Sequence, residues 1–154
     1  MTPYRVAIEP GWIDYNGHLR DAYYGVAFSL AIDDLMDQVG LDAAYRARTR
    51  GTLYTMEMHC HFLREVKAQD ELSIRMIVLD ADHKRLLAGG VFTCARLAEP
   101  VAAAEAMLLH VRQDETPASV PFPAEIAARI DALRSDADWP AGLPGSRKLE
   151  IRRR

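Results

Sequence analysis

Asp14, Asn16, Gly17 and His18 fall within one short segment, Ile-Asp-Tyr-Asn-Gly-His-Leu-Arg-Asp, directly ahead of a strongly helical stretch. An acid, a turn and an imidazole beside a helix N-terminus suit acyl chemistry. The helix start offers unpaired backbone N–H groups and a partial positive charge that can stabilise a developing oxyanion. A carboxylate at that place can attack a carbonyl carbon or activate water. Asp before Asn-Gly is also ordinary turn chemistry, so Asp14 on local grounds has both readings. Asn16 and Gly17 shape the turn, where Gly17 supplies a positive φ or lets substrate approach the backbone closely. His18 either hydrogen-bonds Asp14 and orients it or serves in capping and packing. The second role is preferred, because a carboxylate can hydrolyse an activated ester without an imidazole.

Other residues extend the candidate site. Glu57, His59 and His61 alternate on one strand face, a spacing that could hold a metal. His59-Cys60-His61 followed by Glu65 imitates part of the cupin signature, but the flanking glycines and the second cupin motif are missing, so no metal is expected. Trp12, Tyr15, Tyr23, Tyr24 and Tyr54 stand near or opposite the acid in the expected fold. Several aromatic rings can enclose a trimethylammonium group by cation–π attraction, with Glu57 assisting, although Tyr24 and Tyr54 also read as core residues. His83, Lys84 and Arg85 form a charged turn whose ordinary role is solvation, with suitability for phosphate behind it.

The elements that must position these residues follow from period and punctuation. Arg5 to Pro10 reads as a short strand. Asp21 is expected as the N-cap of a helix to Val39, with Gly40 as its stop. Tyr24, Phe28, Ala31, Ile32, Leu35, Met36 and Val39 make one apolar stripe, while Asp33, Asp34 and Asp37 lie off it. Leu41 to Arg50 forms a shorter helix or turn. From Thr52 the period becomes two, with Tyr54, Met56, Met58, Cys60 and Phe62 on one face and Thr55, Glu57, His59 and His61 on the other. Strands follow over Glu71–Leu79, Leu86–Leu97 and Val101–Arg112, then a helix over Pro121–Leu133. Residues 1–134 are expected as a single domain, and Ser135 to Arg154 as a loose tail. Short turns imply antiparallel neighbours, because parallel pairing needs long crossovers. The expected architecture is α+β, a hotdog fold in which a five-stranded antiparallel sheet wraps one long helix.

Composition narrows the function. A chain of 154 residues with 49% apolar and 27% charged residues can bury a core without disulfides. The net charge of −3 gives no footprint for nucleic acid. No run has signal-peptide or membrane-spanning character, and Cys60 and Cys94 suit buried thiols, so the expected location is cytoplasmic.

The pattern Trp12-Ile13-Asp14-Tyr15-Asn16-Gly17-His18, followed by Tyr24 and Phe28, resembles the acyl-CoA thioesterases of the hotdog (4-hydroxybenzoyl-CoA thioesterase-like) superfamily. More narrowly it is similar to the betainyl-CoA thioesterases that accompany carnitine dehydrogenase in carnitine breakdown. Further matches are Glu57 and His59, Asp82-His83-Lys84-Arg85-Leu86, and Met107-Leu108-Leu109-His110-Val111. The resemblance implies Asp14 as nucleophile or general base, with an oxyanion donor from the backbone between Gly17 and Asp21. It implies Trp12, Tyr24, Glu57 and His59 around the acyl group, and His83, Lys84 and Arg85 on the CoA phosphates. It also implies a homodimer or homotetramer with sites at subunit interfaces, and no cofactor beyond the CoA of the substrate. Two rivals share the fold. A hotdog enoyl-CoA hydratase is disfavoured, because Ile13 replaces the glycine before the acid and no proline follows Asn16. A non-catalytic acyl-CoA-binding protein stays open, since an intact acid does not demonstrate turnover.

Overall fold

The computed structural model describes residues 1–134 together with 139, 140, 142 and 143. Strand β1 (Tyr4–Ala7) leads through a single 3-10 turn (Pro10–Trp12) to helix α1 (Asp21–Val39) and the short helix α2 (Ala43–Thr49). Strands β2 (Gly51–Phe62), β3 (Glu71–Ala81), β4 (Arg85–Cys94) and β5 (Ala102–Arg112) follow, then β6 (Ala118–Ser119) and helix α3 (Ala124–Arg134). The sheet is antiparallel in the order β1-β3-β4-β5-β2, and β6 adds two residues beside the end of β5. The five strands and the central helix are those expected, with the first strand ending at Ala7 rather than Pro10; the 3-10 turn and β6 are additional.

Helix α1 carries the core. Tyr24, Ala27, Phe28, Ala31, Ile32, Leu35, Met36 and Val39 are buried, which is the stripe its spacing predicts. Gly40 ends it with φ 90, and the next amide, Leu41 N–H, reaches back to the Met36 carbonyl at 2.8 Å. The start differs by one residue from expectation. Arg20, with extended backbone, is the N-cap, and Asp21 is the first helical residue, its carboxylate accepting the Ala22 N–H at 2.8 Å. The Gly89-Gly90 pair in mid-β4 serves both sheet faces. A Cβ on Gly90 would stand 2.6 Å from the Phe28 ring, and one on Gly89 2.7 Å from the Trp139 ring on the opposite face. Trp139 thus lies against the sheet; the rest of the expected tail, 135–154, is outside the described residues apart from 140, 142 and 143.

Strand β2 corrects the expected face assignment. Its register against β5 shifts between Thr55 and Glu57, so Leu53 and Thr55 lie opposite the buried His110 and Leu108, while Tyr54 lies opposite Leu109. Met58, Cys60 and Phe62 pair with Ala106, Ala104 and Ala102 of the core, so they face α1. Tyr54 therefore shares the outer face with Glu57, His59 and His61. One extra residue inverts the period-two phase, and a sequence pattern read in strict alternation carries the wrong face past it.

Two polar tethers hold the ends of the sheet. The side chain of Asp70 is 3% exposed and takes both the Nε and Nη2 groups of Arg96 (2.9 and 2.7 Å) and the Lys67 N–H at 2.9 Å. The Arg96 hydrogen bonds, foremost, hold the Asp70 carboxyl below its ordinary range. Its folded pKa is depressed, so its contribution is complete above the unfolded value near ~4 and is lost as pH falls below it. Asp70→Ala is expected to cost about 1–2 kcal/mol in urea denaturation at neutral pH, since it takes the acceptor from the Lys67 N–H and from the Arg96 guanidinium. At the other end, His110 is 1% exposed and stacks on Phe122 at 4.9 Å. Its Nδ1 faces the carbonyls of Val120 (3.0 Å) and Pro121 (3.1 Å), so that nitrogen donates and Nε2 accepts the Tyr45 hydroxyl at 3.0 Å. Burial pushes the imidazole below its ordinary value. The depressed pKa of a base makes protonation favour unfolding: stability from His110 is complete above ~6.5 and declines as pH falls below it. In His110→Gln that decline between neutral pH and about pH 5 should flatten, as read by melting temperature against pH.

Candidate active site

The turn before α1 is knotted to itself and to the loop after β2. Asp14 N–H bonds the His18 carbonyl at 2.8 Å, Gly17 N–H bonds the Asp14 carbonyl at 3.1 Å, and Ile13 bridges to Leu19. Gly17 adopts φ 80, the left-handed geometry that closes such a turn without a Cβ clash. The Asp14 carboxylate points into its own turn: Oδ1 accepts the N–H groups of Asn16 (2.8 Å) and His18 (3.0 Å). Those bonds, His18 first, hold its pKa below the usual carboxylate value. Asp14 is therefore an anion across the neutral range, a fit state for a nucleophile or a base toward an activated carbonyl.

The same turn settles which backbone donor remains. His18 N–H is spent on Asp14, Leu19 N–H on the Val66 carbonyl (2.8 Å) and Arg20 N–H on the Trp12 carbonyl (3.0 Å). Tyr23 N–H bonds Arg20 at 3.1 Å, and Ala22 N–H is taken by the Asp21 carboxylate. Between Gly17 and Asp21, among the described residues, the N–H of Asp21 alone is left without an acceptor in the chain. It sits at the positive end of a 19-residue helix.

Asp21 borders a cleft of about 280 Å³ whose walls include His18, Tyr24, Phe62, Arg64 and Glu65. The His18 ring does not reach Asp14; its Nε2 pairs with Glu65 at 3.1 Å, so the imidazole orders the cleft wall instead. The Tyr24 phenol is pushed up to about 12 and the Cys60 thiol to about 11, both chiefly by burial, so neither offers an anion near neutral pH. Phe62 and Glu65 read in the sequence only as part of the alternating strand and of a cupin-like run, and Arg64 carries no signal, because the end of β2 and the loop after it come to α1 only through the sheet's curl.

The other expected residues scatter. Trp12 stacks flat on Tyr23, with centroids 5.0 Å apart and planes at 10°, so the two rings cover one another. Tyr15 is exposed, Tyr24 is a core residue at the cleft floor, and Tyr54 is on the outer face, where its hydroxyl accepts from the Gln113 amide at 3.3 Å. The five-ring cage is thus not formed. Glu57 and His59 pair with each other at 2.9 Å on the outer face, opposite Glu105 and Met107, away from the cleft of the same protomer. Among the described residues no group of three or more His, Cys, Asp or Glu side chains is placed to hold a metal ion. Asp82 shapes the 82–84 turn by accepting the N–H groups of Lys84 (3.0 Å) and Arg85 (2.7 Å) and gripping the Arg85 guanidinium at 2.6 Å. Burial alone would raise its pKa, but those bonds, led by Arg85, outweigh it and draw it down to about 2. Lys84 reaches Ser119 at 3.2 Å, and His83 stands beside Asp82. This turn borders a separate hollow with Phe122 and the α3 residues Ala127, Ile130 and Arg134, which shares no residue with the cleft at Asp21.

A carboxylate anchored in the turn just ahead of the helix, an unspent helix N-terminal amide and a cleft that this amide's residue and His18 border, on a sheet curled around one helix, define a hotdog protein equipped for thioester chemistry. The chain belongs to the thioesterase-like superfamily, whose sequence pattern matches residues 8–130. It is 42% identical over 133 residues to the betainyl-CoA thioesterase of Pseudomonas aeruginosa PAO1, covering 86% of this chain and 83% of that one. It is 35% identical to the L-carnitine dehydrogenase/betainyl-CoA thioesterase of Agrobacterium fabrum, spanning 86% of this chain but only 27% of that longer protein. Among solved structures, a candidate thioesterase from Pseudomonas putida KT2440 is 37% identical with a TM-score of 0.80, covering 98% of this chain and 97% of that one. A Staphylococcus aureus protein solved in complex with CoA shares the fold, with a TM-score of 0.84 at 24% identity and coverage of 97% and 95%.

Proposed function

We propose that this protein hydrolyses a small acyl-CoA, betainyl-CoA foremost, to the free acid and CoA. The observation that carries the reading is the turn itself, which holds and orients the Asp14 carboxylate and leaves the Asp21 N–H unspent at the helix start. Asp14 attacks the thioester carbonyl carbon or takes a proton from water that does so. The developing oxyanion accepts from Asp21 N–H, the C–S bond breaks, and sulfur leaves as thiolate and is protonated. Along the nucleophile route a mixed anhydride forms on Asp14 and water cleaves it. The betainyl group is supported by the Pseudomonas aeruginosa relative, and a place beside carnitine oxidation by the fused carnitine dehydrogenase relatives. The free thiols Cys60 and Cys94 suit a cytoplasmic enzyme.

The active form in this reading is a homodimer or a larger assembly of dimers. Among the described residues strand β2, twelve residues long, has a neighbour on one side only and exposes Met56 at its bulge, leaving a row of backbone groups that a second copy would satisfy. Such pairing would let the partner's His83, Lys84 and Arg85 turn serve CoA bound at this protomer's Asp14. The test is thiol release across cationic, aromatic and straight-chain acyl-CoAs, with enoyl absorbance followed in parallel. Loss of enoyl absorbance without free CoA would replace hydrolysis by hydration, and binding without either product would leave a carrier.

A further inference from the structure

Phe62 is the exposed aromatic of the cleft, with 54% of its surface accessible, and it touches Tyr24 edge-on, with centroids 5.2 Å apart and planes at 70°. An edge contact leaves ring face uncovered. The permanent charges around these rings are the carboxylates of Asp21 and Glu65 and the guanidinium of Arg64, which is already paired with Glu99. Tyr24 adds a neutral phenol. The cleft therefore offers aromatic surface together with two carboxylates, Asp21 on the Ala22 N–H and Glu65 on His18 Nε2. A quaternary ammonium group has no N–H to donate, so charge, ring faces and apolar contact are the only means of holding it.

On the thioesterase reading above, we infer that Phe62 and Glu65 are the specificity-determining residues that select a trimethylammonium-bearing acyl group over its uncharged isostere. Their backbone is fixed before substrate arrives. Leu63 and Arg64 N–H groups both bond the Val101 carbonyl (2.9 and 3.0 Å), and the Glu65 carbonyl accepts from Arg96 Nη2 at 3.1 Å. That guanidinium is itself held by buried Asp70. The wall is thus preorganised rather than assembled around the ligand. His18 Nε2, on Glu65 at 3.1 Å, sets the carboxylate's direction.

The test compares betainyl-CoA with 3,3-dimethylbutanoyl-CoA, in which carbon replaces the quaternary nitrogen at equal shape. Wild-type protein should favour the cation in kcat/KM by about tenfold or more. In Glu65→Gln and in Phe62→Leu that ratio should fall by about tenfold and fivefold, the loss being carried by the cationic substrate. Equal preference in wild-type protein, or variants that slow both thioesters in proportion, overturns the inference while leaving the hydrolase intact. If neither thioester releases thiol, the hydrolase reading is what has failed. Calorimetric binding of the two non-hydrolysable thioether analogues then decides the wall: a cation preference lost in Glu65→Gln upholds it, and equal affinities overturn it.

Discussion

Asp14→Asn lowers thiol release from the best acyl-CoA by about 10²- to 10⁴-fold, the span usual for a positioned acid–base or nucleophilic carboxylate. The variant keeps its fold because the amide oxygen of asparagine can still accept the Asn16 and His18 N–H groups that Oδ1 now accepts. Substrate affinity should change little, so the loss appears in kcat. Wild-type-like turnover in a correctly folded Asp14→Asn protein would remove Asp14 from its role. A companion expectation follows from the depressed pKa: the acid limb of kcat/KM assigned to Asp14 lies below the ordinary aspartate value near ~4. In single turnover in heavy-oxygen water, label found in the Asp14 carboxylate marks the anhydride route, because only water attacking Cγ of the anhydride places it there.

Asp21→Pro should cost about 10²- to 10³-fold in kcat, the loss usual for one oxyanion donor. Proline at the first helical position is favoured, and the residue before it must be extended, as Arg20 already is with ψ 146. The amide it removes has no acceptor within the described chain, so no internal hydrogen bond is lost. Asp21→Ala supplies the comparison: it removes the side chain and the bond to Ala22 but keeps the backbone N–H. A proline variant no slower than the alanine variant, with both folded by circular dichroism, would place the oxyanion donor elsewhere.

Much of this protein was legible before folding. The apolar stripe of α1 and its Gly40 stop follow from side-chain spacing on one helix, and the turn at Asp14 follows from residues that hydrogen-bond within five positions. Such features depend on neighbours in the chain, so sequence carries them. The strand faces were legible from Glu57 onward and misread at Tyr54 and Thr55, because a bulge has no signature in a run of β-favouring residues. The aromatic cage failed for a related reason: proximity in sequence to Asp14 says nothing of which rings stack on one another, and Trp12 and Tyr23 did.

By itself, the sequence determined the acid, the turn that holds it and the helix that follows, all of them local in the chain. Only the tertiary structure decided that His18 serves Glu65 rather than Asp14, that between Gly17 and Asp21 it is the Asp21 amide that stays unspent among the described residues, and that Phe62 meets Tyr24 edge-on. The physical reason is that these pairings form across the curl of the sheet, between residues some forty positions apart, where geometry and competition for each hydrogen bond choose the partner.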